Sequence, residues 1–143
     1  KSDAGVVWML KGTVDPNFTG LVIRRNHTDL RQWLDRARQL YKNAKCLVYP
    51  SAHEGFGLPP IEAMSQGCPT FTSNYKAVIE GVGGAAATFD SNNILEMQNV
   101  MEEYLFSDYK LKELIELGKK QSVKFSWEKC VNETINVYKN LLN

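Results

Sequence analysis

The sequence predicts an α/β domain in which a parallel sheet is covered by helices on both faces. Three observations predict it. Cys46-Leu47-Val48-Tyr49 is a continuous apolar run, the pattern of a strand buried on both sides. Short runs of this kind alternate with segments whose apolar residues recur at helical spacing. Stretches rich in Gly, Pro and Asn separate them. Strands that alternate with helices imply parallel pairing, with ligands bound at the carboxyl ends of the strands.

Element by element, Val6 to Leu10 and Leu21-Val22-Ile23 read as short strands, parted by a loop with Asp15-Pro16-Asn17 and Gly20. Asn26 or Thr28 can cap a helix in which Leu30, Trp33, Leu34, Ala37, Leu40 and Tyr41 recur at helical spacing. The strand at Cys46 follows, then a helix to about Gln66 and a strand at Thr70-Phe71-Thr72. A short helix near Ala77 to Glu80 and a break at Gly81, Gly83 and Gly84 lead to a strand at Ala86 to Phe89. Three helices close the chain, at about Asn93 to Phe106, Tyr109 to Val123 and Trp127 to Leu142. Ser126 caps the last, whose Trp127, Val131, Ile135, Tyr138 and Leu142 form one apolar stripe. Trp33 and Trp127 read most simply as core or interface residues.

The chemistry concentrates between Pro50 and Met64. Gly55 and Gly57 let the backbone turn sharply and leave no side chain between it and a ligand. Pro59 and Pro60 suit a first helical turn, where a missing N–H is no loss. A helix start reached through such a turn presents unpaired N–H groups and the positive end of a dipole, and so receives anions. Glu54 and Glu62 cannot share one helix: they would stand ~12 Å apart, and the prolines forbid it. Glu54 then belongs to the loop and Glu62 to the first helical turn. A carboxylate there cannot face a phosphate, but it can accept from two neighbouring hydroxyls, as an acidic residue does with a dinucleotide ribose. A nucleoside diphosphate ligand follows: phosphates on the N–H groups, ribose on Glu62, and the group beyond the phosphates near Glu54. The bland readings are a dipole-favoured Glu62 and a solvated Glu54. His53 reads as a loop residue without a catalytic role, and Arg24-Arg25-Asn26-His27 as a solvated strand-to-helix loop, with contact to a base or phosphate the alternative. Ser73 and Asn74 lie at a strand's carboxyl end and line the site.

Composition removes other classes. The chain has 143 residues and a net charge of +1, from 17 basic against 16 acidic residues, so nothing electrostatic favours nucleic acid or an anionic membrane. Cys46, Cys68 and Cys130 are odd in number and widely spaced; buried free thiols fit better than disulfides or a zinc site. No apolar stretch approaches a membrane span and no signal peptide is visible, which points to the cytoplasm or the cytoplasmic face of the membrane.

Glu54 to Glu62 resembles the E-x7-E motif of retaining glycosyltransferases with the GT-B fold, in the form EGFGLPPIEAM that is typical of family 4. The likeness continues in Leu40-Tyr41-Lys42-Asn43-Ala44, in Gly67-Cys68-Pro69-Thr70-Phe71-Thr72-Ser73-Asn74, from Glu80 through Asp90, and in Phe125-Ser126-Trp127. Matches run from about Leu21 to the C-terminus. The resemblance implies a Rossmann-like, donor-binding domain that forms the C-terminal half of a GT-B fold. It also implies transfer of a sugar from a UDP-, GDP- or ADP-sugar to a sugar or lipid-linked acceptor, with retention at the anomeric carbon and without a metal.

Carried over residue by residue, Glu54 contacts the donor sugar and favours positive charge at the anomeric carbon. The N–H groups around Gly55, Phe56, Gly57 and Leu58 hold the diphosphate, and Glu62 holds the ribose. A retaining glycosidase is a poor rival, since its two carboxylates work about 5 Å apart and need no phosphate cradle. The front of the chain departs from the family pattern. The strand and helix that carry a "G-R…K-G" clamp do not appear, and Lys11-Gly12 does not map onto it. Residues 1–143 thus read as a single domain of a two-domain enzyme, inactive or nearly so in isolation. The rival readings are a non-catalytic nucleotide-sugar-binding or interaction module that keeps the fold, and an epimerase of related architecture.

Overall fold

A computed structural model describes residues 7–8 and 30–142. Four parallel strands form one sheet in the order β1 (Val7–Trp8), β2 (Leu47–Tyr49), β3 (Thr70–Ser73), β4 (Ala87–Phe89). The register pairs Leu47 with Thr70, Tyr49 with Thr72, and Ser73 with Phe89. Between and after the strands run α1 (Leu30–Asn43), α2 (Leu58–Ser65), α3 (Lys76–Val82), α4 (Ile94–Leu105), α5 (Asp108–Ser122) and α6 (Trp127–Leu141). Every expected element within the described residues is present. The remainder of the first strand, the strand at Leu21-Val22-Ile23, the cap at Asn26 or Thr28 and the Arg24–His27 loop lie outside them.

Alternation along the strands splits the core into two layers. Leu47 and Tyr49 join Tyr41 of α1, Ala63 and Met64 of α2, and Val78 and Val82 of α3. Cys46, Val48, Phe71 and Phe89 face the other way, onto Leu111 and Leu114 of α5, with Met97 and Met101 of α4 beside them. The sheet is therefore covered on both faces, which is why β2 reads as an unbroken apolar run. At Gly118 of α5 a Cβ would come within 3.0 Å of Met64 Cγ, so the glycine permits α5 to lie close to α2.

The helix starts follow local chemistry. Asn93, Ser107 and Ser126 accept hydrogen bonds from the backbone N–H groups of Glu96, Lys110 and Lys129. Helix α2 differs: its N-cap is Gly57 at φ +80°, without a side-chain cap. It begins at Leu58, one residue before the prolines, so Glu62 is its fifth residue and opens the second turn rather than lying in the first.

Two expectations are corrected. Trp127 is 78 % exposed, which removes the core half of its core-or-interface reading, and none of α6 is buried among the described residues; the stripe forms, but no described residue covers it. Cys130, on that helix, is exposed, whereas Cys46 and Cys68 are buried.

Candidate functional site

Because the strands are parallel, their carboxyl ends share one edge. Tyr49, Ser73 and Phe89 end there, and the loops after β2 and β3 carry most of the candidate site. Residues 50–57 carry the chain from β2 into α2. Gly57 is buried, and its left-handed backbone turns the chain into the helix beside Val78 of α3; an added Cβ would meet Val78 Cγ2 at 3.5 Å, an ordinary contact, so backbone conformation alone calls for glycine. Among the described residues, none accepts a hydrogen bond from the N–H groups of Gly55, Phe56, Gly57 or Leu58. Pro59 and Pro60 have no N–H, so the donors of this helix start are concentrated in that four-residue stretch.

Glu54 is half-buried in the same loop. Its Oε1 accepts from the Tyr49 hydroxyl at 2.5 Å and from Ser51 Oγ at 2.8 Å. Tyr49 is 7 % exposed, and burial together with the Glu54 carboxylate pushes its phenol well above the ordinary tyrosine range, so it remains a donor at neutral pH. Ser73, at the end of β3, is fully buried and its hydroxyl donates to the Ser51 carbonyl. It thereby fastens the Glu54 loop to the neighbouring strand. Asn74 is exposed, with its N–H on the Phe89 carbonyl. His53 stands edge-to-face with Tyr75, centroids 5.8 Å apart, where the loops after β2 and β3 meet.

Glu62 is exposed on α2, and its Oε2 accepts from the Tyr41 hydroxyl at 3.5 Å. A cleft of about 700 Å³ opens between α2 and α6, with Phe56, Leu58, Ile61 and Glu62 on one wall and Phe125, Trp127, Cys130, Thr134 and Val137 on the other. Phe56 and Phe125 meet edge-to-face at 5.3 Å. Glu54 is not part of that wall, so the two glutamates address different spaces around one helix start. The dipole of α2 acts most strongly within its first turn, and Glu62 lies past it; the dipole-favoured reading of that residue loses its support.

The structure thus gathers Glu54, the amides of Gly55 to Leu58, and Ser73 with Asn74 at one edge of the sheet, and sets Glu62 one turn into α2. Sequence reasoning missed Tyr49, Ser51 and Tyr41 as partners of the carboxylates. The available signal was a tyrosine closing an otherwise aliphatic strand five residues before an acid. Among the described residues no three His, Cys, Asp or Glu side chains gather as a metal site, and no helix is long and apolar enough to cross a membrane.

Residues 25–121 match the sequence profile described as Glycosyl transferases group 1. The chain belongs to that family. It is 41 % identical over 102 residues to O-antigen chain mannosyltransferase B of Escherichia coli, covering 71 % of this chain and 27 % of that protein. It is 39 % identical over 103 residues to the serotype-specific mannosyltransferase WbdA of Escherichia coli, covering 72 % of this chain and 13 % of that protein. The chain spans about a quarter or less of the length of these relatives. A sucrose-phosphate synthase from Thermosynechococcus elongatus superposes with a TM-score of 0.65 at 25 % identity, covering 71 % of this chain and 26 % of that one. The sheet of this group 1 glycosyltransferase chain is the Rossmann-like kind that builds one half of a GT-B fold.

Proposed function

We propose that this chain is the donor-binding part of a retaining, family 4 glycosyltransferase that moves a hexose from a nucleoside-diphosphate sugar to a hydroxyl of a sugar or lipid-linked acceptor. The mannosyltransferase relatives favour mannose as the sugar and polysaccharide or glycoconjugate synthesis as the setting. One observation carries the reading: the open amides at Gly55 to Leu58 stand beside a carboxylate that two hydroxyls hold in place.

The chemistry follows from charge. Breaking the bond between sugar and phosphate leaves positive charge at the anomeric carbon and adds negative charge to the diphosphate. N–H groups aimed at the phosphate oxygens stabilise the second, and need no rearrangement as the charge develops. The Glu54 carboxylate stabilises the first and accepts from the sugar's hydroxyls. Glu62, past the dipole's reach and open to the cleft, accepts from the ribose. Ser73 acts through the Ser51 carbonyl, and Asn74 flanks the sugar side of the site. No metal takes part in this scheme, and the protein works in the cytoplasm or at the cytoplasmic membrane face beside an acceptor-binding domain. The 143 residues alone are inactive or nearly so.

Calorimetric titration of the full-length protein with GDP-mannose, UDP-glucose and ADP-glucose tests the donor class; failure to bind any of them removes it. Glu54→Ala is expected to slow transfer by about 100-fold or more while donor affinity falls far less. Unchanged turnover would rule out the role given to Glu54.

A further inference from the structure

We propose that Tyr49 is a positioning residue for Glu54, its phenol holding the carboxylate in the orientation from which Glu54 acts on the donor sugar. This rests on the role given to Glu54 above and adds a residue that the motif between Glu54 and Glu62 does not contain. Glu54 sits in a loop, where a long acidic side chain would ordinarily sample several rotamers. Here a hydroxyl carried by a strand reaches its Oε1 at 2.5 Å, within the range of a charge-assisted O–H···O bond.

The donor itself cannot drift. Tyr49 pairs with Thr72 across the sheet, and its side chain is packed among Leu47, Ala63, Met64 and Val78 in one layer of the core. A second hydroxyl, Ser51 Oγ, reaches the same oxygen at 2.8 Å, and Ser73 holds the carbonyl of that serine. Hydroxyls from the ends of two adjacent strands therefore fix one oxygen of a loop carboxylate and the backbone behind it. Its phenol stays protonated through the neutral range, so the donor persists wherever the enzyme works.

The bland reading is that a buried phenol needs some partner and Glu54 happens to supply it. The two readings separate in a double-mutant cycle on the full-length transferase: Tyr49→Phe, Glu54→Gln and both together. The measurements are GDP-mannose affinity, turnover of GDP-mannose to GDP, melting temperature, and a crystal structure of Y49F. Y49F keeps the ring, so folding is preserved. The expected result is turnover lower by about 10-fold, affinity within about 3-fold, and a Glu54 carboxylate displaced in the crystal. In the E54Q background the same change is expected to cost no further turnover.

Wild-type turnover in Y49F overturns the positioning role. So do losses that multiply in the double variant, because Tyr49 would then act independently of Glu54. Turnover lost in E54Q but kept in Y49F sinks this inference alone. Wild-type turnover in E54Q sinks the role of Glu54 itself, and this inference with it.

Discussion

Tyr41 and Glu62, 21 residues apart in sequence, meet through a 3.5 Å hydrogen bond that ties the end of α1 to the exposed side of α2. Burial, then the Glu62 carboxylate, hold the Tyr41 phenol above its ordinary range, and the ring is 5 % exposed in the core. The bond is long and one partner is open to water, whereas the ring is packed. Packing should therefore dominate its contribution. Tyr41→Ala is expected to cost about 3 kcal/mol or more, as for other large core truncations. Tyr41→Phe should cost about 1 kcal/mol or less. Urea denaturation of the two variants checks the ordering, and a Phe variant as unstable as the Ala variant would reverse it.

Gly57→Ala isolates the backbone of the helix start. At φ +80° an L side chain is strained by about 1–2 kcal/mol, although Val78 leaves room for the methyl. If the loop relaxes that strain, the amides at Gly57 and Leu58 reorient. The expected outcome is a modest fall in melting temperature with a larger fall in nucleoside-diphosphate affinity. Calorimetry that finds affinity unchanged would separate these amides from the ligand.

Ser73→Ala removes the donor to the Ser51 carbonyl. A hydrogen bond lost in partly buried surroundings costs about 1 kcal/mol. Turnover should fall by more than the unfolded fraction explains, because the loop bearing Glu54 loses its tie to β3. Parallel urea and turnover measurements test this, and wild-type turnover would show that the tie serves folding alone.

The thiols should divide into two classes. Burial pushes the Cys46 thiol up to about 11 and the Cys68 thiol up to about 12, from an ordinary 9.0, whereas Cys130 is exposed. A thiol-specific chromogenic disulfide at pH 8 should react promptly with one thiol in the native chain and with three in urea. The same shifts set a sign for stability against pH. Folding favours the protonated thiols, so their contribution is whole below about pH 9 and is lost as pH rises towards 11 and 12. Tyr41 and Tyr49, also shifted upward, act in the same direction. Stability that rose between pH 9 and 11 would contradict this.

Helix α6 should behave as a nearly isolated helix in the 143-residue chain. It has 15 residues, an N-cap at Ser126 and no buried side chain. Helices of this length are marginal in water without tertiary packing. Hydrogen exchange should therefore be fast throughout 127–141 and slow in α2 and α5; equal protection would mean that the apolar stripe is covered.

Much of this was legible because period and burial leave direct marks on sequence. The unbroken run from Cys46 to Tyr49 requires cover on both faces, and the helical stripe with Ser126 before it announces both helix and start. What the sequence concealed are relations set by tertiary geometry. Periodicity shows that Trp127 and Ile135 share a face, but it does not reveal what covers that face. The tyrosine at position 49 looks like core, and it is core; that its hydroxyl reaches a loop acid depends on how residues 50–53 double back. The pair at Ser73 and Ser51 is 22 residues apart and lacks any local signature. Pro59 and Pro60 do lie in the first turn of α2, but prolines do not fix which of its positions they fill; the helix starts at Leu58, and Glu62 falls just past that turn.

Those prolines also limit what this stretch of backbone can achieve unaided. A helix end of this kind offers roughly half a positive charge, and here Pro59 and Pro60 leave blank two positions that would otherwise each contribute an N–H. A diphosphate brings a multiple of that charge with the opposite sign. The loop is therefore suited to aiming its guest and poorly suited to balancing it. For the proposed donor, arginine or lysine side chains from beyond residues 50–62 would contribute the greater part of the counter-charge, and affinity for a nucleoside diphosphate should then weaken steeply as salt is raised.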